Sequence, residues 1–73
     1  MITYEIGKNY YTGEEGSYKA YGITAEQGLL SVTVNDITTE FDKVTEYVDR
    51  LKASQIHPNN LLDTIADYID REE

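Results

Sequence analysis

The chain has no cysteine and no tryptophan, one proline, one histidine, and only six lysines and arginines against fourteen aspartates and glutamates. Each shortage removes a class of explanation. Without cysteine there is neither a disulfide framework nor a thiolate metal site, so one small hydrophobic core must hold the 73 residues together, and a reducing compartment fits. With one histidine, no His/Cys set of zinc spacing exists. Six cations are too few to neutralise a run of phosphates, and a formal net charge of −8 opposes both nucleic acid and an anionic membrane surface. No apolar run approaches the ~20 residues of a membrane span, and no signal-peptide core follows Met1, so a cytoplasmic location is expected.

Catalytic patterns are also missing. No glycine loop has phosphate-cradling spacing, no nucleophile elbow occurs, and the stretch from Asp36 to Asp42 lacks the glycine and spacing of an EF-hand loop. Carboxylates on solvated helix faces lack the burial that acid–base catalysis requires. We therefore expect a non-enzymatic protein with no catalytic, cofactor-binding or metal-binding residues and no cofactor.

What the chain does contain is one pattern stated twice. FDKVTEYVDR at 41–50 and LDTIADYIDR at 62–71 align with a 21-residue offset. Asp42/Asp63, Tyr47/Tyr68, Asp49/Asp70 and Arg50/Arg71 are identical, while Phe41/Leu62, Val44/Ile65, Glu46/Asp67 and Val48/Ile69 keep their chemical class. Phe41, Val44, Val48 and Leu51 recur at helical spacing with Tyr47 on the flank. Leu61, Leu62, Ile65 and Ile69 do the same in the second copy. Thr38 is placed to cap the first helix, which fades near Ser54, and Pro58 suits the first turn of the second. His57, beside that proline, reads as a capping or loop residue.

Upstream, residues 2–11, 17–24 and 29–35 read as strands separated by turns at 12–16 and 25–28. Short turns make the three strands an antiparallel meander. The expected fold is α+β, one domain over 1–73 in the order β-β-β-α-α, with both helices on one face of the sheet.

Two features are candidates for contact with a partner. At about 100° per residue, Asp42, Glu46 and Asp49 gather opposite the apolar stripe of the first helix, as do Asp63, Asp67 and Asp70 on the second. Within each helix the first two acids are an unfavourable i,i+4 pair, offset in part by Glu46–Arg50 and Asp67–Arg71. Asp70, Glu72 and Glu73 crowd a helix C-terminus, where the macrodipole prefers cations. Helix stability therefore does not account for these acids. A solvated face that keeps a small protein soluble is the plainer reading; two anionic rows ~8–10 Å apart that imitate part of a phosphate backbone are the sharper one. The second feature is seven tyrosines, five of them on the first two strands. Cross-strand pairing accounts for tyrosine in strands, whereas an exposed group around Tyr10, Tyr11 and Tyr21 would mark a partner or dimer surface.

Tyr21-Gly22-Ile23, Asp36-Ile37-Thr38 and the stretch IHPNNLLDTIADYI at 56–69 together resemble a family of short, uncharacterised Firmicutes proteins classed as a domain of unknown function. That family shows a Tyr-Gly-Ile strand, an Asp-Ile-Ser/Thr helix start and a final Leu-x-Pro-x-His-Leu-x-Asp helix. Ile56, Pro58, Leu61, Asp63, Ile65, Asp67, Tyr68 and Ile69 fall on the last pattern, and Asn60 stands where the family has its histidine. The resemblance spans roughly 17–70 and implies no activity.

The leading functional expectation is an acidic protein-binding module for a basic partner, such as a nucleic-acid-binding protein. Its sharpest form is a nucleic-acid-mimicking inhibitor of the anti-CRISPR or phage type. The alternative is a small adaptor or homodimer that uses the tyrosine-rich sheet.

Overall fold

A computed structural model of the chain describes residues 1–72. Three strands, β1 (Thr3–Gly13), β2 (Gly16–Gln27) and β3 (Leu30–Thr38), form one antiparallel sheet in the order β1-β2-β3. Helix α1 (Phe41–Ser54), a 3-10 turn (Pro58–Asn60) and helix α2 (Leu61–Glu72) follow. The β-β-β-α-α order of an α+β fold is as expected from the sequence. The side chain of Glu72 and all of Glu73, counted above among the acids closing the second helix, lie outside the described residues.

The strands are longer than alternation indicated, because both turns are tight. Glu14–Glu15 joins β1 to β2, with Gly16 at φ 115°, and Gly28–Leu29 joins β2 to β3, with Gly28 at φ 62°. Glycine takes such φ values without steric cost. Ala25, Glu26 and Gln27, read from sequence as turn, belong to β2, and Ala25 is buried. Thr38 does not cap α1. It ends β3, and its hydroxyl accepts a hydrogen bond from the Glu40 backbone N–H (3.1 Å), which fixes the strand-to-helix corner. Glu40 itself is the N-cap and offers no side-chain bond. His57 does cap: its Nδ1 accepts from the Asn59 N–H at 3.1 Å at the start of the 3-10 turn.

The core lies between the sheet and the helices. Tyr4, Tyr21, Ile23 and Ala25 supply the sheet side. Val44, Tyr47, Val48 and Leu51 come from α1, and Leu61, Ile65 and Tyr68 from α2. Each large apolar side chain so buried is worth about 1.5–3 kcal/mol against exposure. Two positions depart from the predicted stripes. Phe41 is 54% exposed while Tyr47 is 1% exposed, and Leu62 is 61% exposed while Tyr68 is buried. The cause is the second neighbour of each helix. α1 packs on the sheet and also meets α2, so its buried arc swings toward Tyr47, whose ring lies 5.6 Å from that of Tyr68. Phe41 is left on the far flank, edge-on to Tyr21 at 5.4 Å.

The sheet is regular along β1–β2, from Thr3↔Glu26 to Gly13↔Gly16. Between β2 and β3 it is broken. Ile23 pairs with Val34 and Tyr21 with Thr38, so a step of two residues in β2 faces a step of four in β3. The surplus is a bulge around Asp36, whose φ is 55°. Gly22 lies under it. A Cβ on Gly22 would stand 2.5 Å from the Val34 carbonyl oxygen and 3.0 Å from the Asn35 Cα. Tyr21-Gly22-Ile23 and Asp36-Ile37-Thr38 thus meet at one crossing: the glycine is absent of side chain where the bulge comes down.

One long-range hydrogen bond closes the fold. The Tyr4 hydroxyl donates to the Ile56 carbonyl at 2.6 Å, tying β1 to the link after α1. Burial, and next the neighbouring Tyr68, raises the Tyr4 pKa above its ordinary 10.0. The folded state therefore favours the neutral phenol. Its contribution is complete below pH 10 and is lost as pH rises through the raised value. Wild-type stability in urea is expected to fall more steeply than that of Tyr4→Phe as pH rises above 10. The variant itself loses about 1 kcal/mol at neutral pH, the usual worth of one such bond. Equal slopes for the two proteins would contradict this.

Candidate functional site

The helices carry the acids as their periodicity requires. Taking about 100° per residue, the buried Val44, Tyr47, Val48 and Leu51 define one side of α1, and Asp42, Glu46 and Asp49 centre on the opposite side. On α2 the buried Leu61, Ile65 and Tyr68 are opposed by Asp63, Asp67 and Asp70. All six carboxylates are exposed. The repeat is thus a repeat of orientation. Val44/Ile65 and Tyr47/Tyr68 are buried in both copies, the acids face solvent in both, and Phe41/Leu62 are exposed in both.

The cations break this symmetry. Arg71 pairs with Asp67 at 3.0 Å, an exposed i,i+4 contact worth about 0.3–0.5 kcal/mol. Its counterpart Arg50 instead lies over the Tyr68 ring, 4.0 Å from the centroid, and so bridges the helices. The sequence offered no sign of that contact. Because the rings of Tyr47 and Tyr68 and the guanidinium of Arg50 fill the junction, the two helix backbones make little direct contact.

The tyrosine group does not assemble as expected. Tyr10 and Tyr21 lie on the helix side of the sheet and Tyr11 on the other, as neighbours in a strand must. Tyr21 is buried in the core and cannot serve as an exposed anchor. Tyr11 is half-buried and stacks on Tyr18 at 5.4 Å. The Tyr18 hydroxyl donates to Asp36 Oδ2 at 3.1 Å, a bond that is the first cause of its raised pKa. Only Tyr10, at 71%, is widely exposed. It and Tyr21 are each approached by an ammonium group, Lys8 Nζ at 5.9 Å and Lys19 Nζ at 5.4 Å from the ring centroids. The open face of the sheet is otherwise polar, with Thr24 and Thr33 hydroxyls 2.8 Å apart and Asn9 Nδ2 donating to Asn35 Oδ1 at 3.4 Å.

Among the described residues, no three His, Cys, Asp or Glu side chains converge as a metal-ligand set. No helix among them is long and apolar enough to cross a membrane. Comparisons with curated proteins and with solved structures returned no match. The family resemblance extends further than its motifs, taking in β1 as well: over residues 1–71 the sequence matches the model described as Family of unknown function (DUF6514), and the chain belongs to that family.

Proposed function

We propose that this chain is a non-enzymatic, cytoplasmic protein-binding module whose two helices present an anionic surface to a basic protein. A nucleic-acid-binding protein is the partner class that suits such a surface, and inhibition by imitating a phosphate backbone, in the anti-CRISPR or phage manner, is its sharpest form. One observation carries the reading: Asp42, Glu46, Asp49, Asp63, Asp67 and Asp70 all project directly away from the core on two helices of repeated design. Packing does not require them there. Arg71 pairs with Asp67, Lys43 approaches Glu40 just outside the repeat, and Arg50 lies over a tyrosine ring.

The test is a double charge reversal, Asp49→Lys with Asp70→Lys. Both sites are exposed, and a cation in the last turn of α2 suits the macrodipole, so stability is expected to change by less than about 0.5 kcal/mol. Affinity capture with the wild-type chain is expected to retain a basic protein at low salt and to release it at high salt, because exposed charges more than ~8–10 Å apart are screened. The reversed variant is expected to lose it. A partner held equally by both proteins, or held independently of salt, would remove this reading.

A further inference from the structure

The two edges of the sheet are not alike. β3 is protected: its register is broken by the bulge, Asp36 has a left-handed conformation, and α2 packs against it. A bulge of this kind keeps another strand from pairing. β1 has no such device. It pairs with β2 alone, without a break from Thr3 to Gly13, and has no proline. At ~3.4 Å per residue this is an edge of about 37 Å, nearly the 40 Å long axis of the molecule. Lys8, the residue type that commonly blocks such an edge, is drawn along its own strand toward the Tyr10 ring.

The surroundings of this edge differ from the rest of the surface. Glu5 and Lys8 make β1 neutral within a chain of net charge −8. Ile6, 36% exposed, lies on the helix side of the strand, as does Tyr10. Above it, α1 packs on all three strands and most extensively on β1, while α2 packs on β3, so the flank of α1 turned from α2 lies toward β1. That flank carries Phe41, Thr45 and Lys52 and no acid, by the same 100° arithmetic. The exposed Phe41 ring and the unguarded strand therefore belong to one acid-poor side of the molecule.

We propose that this side is an isologous interface with a second copy of the chain. β1 pairs antiparallel with its symmetry mate, giving a sheet in the order β3-β2-β1-β1-β2-β3 with four helices on one face. The two α1 flanks meet above the two-fold axis. An axis passing at Ile6 sets that side chain against its own image and keeps Lys8 away from its own, and Gly7 beside it has open space at its Cβ position. Self-pairing is favoured over an unrelated acidic or basic partner because the strand is neutral and its exposed apolar residues complement their own copies. The acidic rows stay outside this interface, so it is independent of the helical surface proposed above.

Light scattering on the full chain, from low to several hundred micromolar, is the test. The expected mass approaches twice the 8.3 kDa of one chain, and association tightens as salt rises, since copies of like charge repel until screened. Ile6→Asp and Phe41→Asp each set a charge against its own image and are expected to return the mass to 8.3 kDa with the circular dichroism unchanged. Hydrogen exchange on the wild-type chain provides a reading that needs no variant: β1 amides gain protection with concentration while those of β3 do not. A monomer throughout, a dimer that survives both substitutions, or β1 amides indifferent to concentration would each overturn the proposal.

Discussion

Gly22→Ala is expected to destabilise the fold by about 3 kcal/mol or more, at the upper end for overpacking, whereas Gly7→Ala, directly across the ladder, is neutral or stabilising by up to about 1 kcal/mol. The two glycines are register partners in adjacent strands, so strand propensity treats them alike: alanine loses less backbone entropy than glycine and improves both. What separates them is the third strand. A Cβ on Gly7 meets nothing within 4 Å, whereas a Cβ on Gly22 meets the Val34 carbonyl oxygen at 2.5 Å. That oxygen is backbone and cannot rotate aside as a flexible side chain would. Relief requires the bulge to lift from β2, which moves Asp36 away from Tyr18 and disturbs the Tyr21↔Thr38 pair that leads into α1. Urea unfolding of the two single variants beside wild type decides the matter. A Gly22→Ala protein as stable as Gly7→Ala would show that the crossing is loose and that the bulge has another cause.

The bulge also marks the limit of what the sequence discloses. Alternation of Ile2, Tyr4 and Ile6, the paired glycines, and the three- and four-residue spacing of Val44, Val48 and Leu51 are local signals, and they are enough to order five elements. The crossing of Gly22 by residues 34–36 is not local. It depends on which strand lies beside which, and in the sequence it survives only as two short motifs, Tyr21-Gly22-Ile23 and Asp36-Ile37-Thr38, with no stated relation. The tyrosines show the same division. That Tyr10 and Tyr11 face opposite sides follows from strand geometry, but the burial of Tyr21 depends on the core that the helices lay over the sheet, with Phe41 edge-on to its ring. For the acidic rows the position is reversed: residues exposed on the side of a helix away from the core are placed by helix periodicity alone, so all six were legible. The contacts that join the two helices were not, because Tyr47, Tyr68 and Arg50 meet only once both helices are in place.

That junction makes the second large effect a test of the swapped stripe. Tyr47→Ala is expected to cost about 3–5 kcal/mol, the range for removing a buried aromatic side chain, and Phe41→Ala less than about 1 kcal/mol. Spacing alone ranks them the other way, since Phe41 continues the Val44–Val48–Leu51 series and Tyr47 sits at its margin. The structure places Tyr47 against Tyr68, with Arg50 over the second ring, so its removal opens a cavity where sheet, α1 and α2 converge. A domain of 73 residues has a total stability of about 4–11 kcal/mol, so Tyr47→Ala removes at least about a quarter of it and, at the low end of that range, all of it. Phe41→Ala loses only an edge-on contact with Tyr21 and stays folded. The pair also separates fold from function within the repeat. If Tyr47 and Tyr68 exist to join the helices, variants at these positions lose partner binding only in proportion to unfolding, measured by circular dichroism on the same samples. The Asp49→Lys/Asp70→Lys protein, fully folded, loses binding without that loss of structure. Tyr47→Ala that remains folded yet fails to bind would move the contact from the acidic rows to the rings between them.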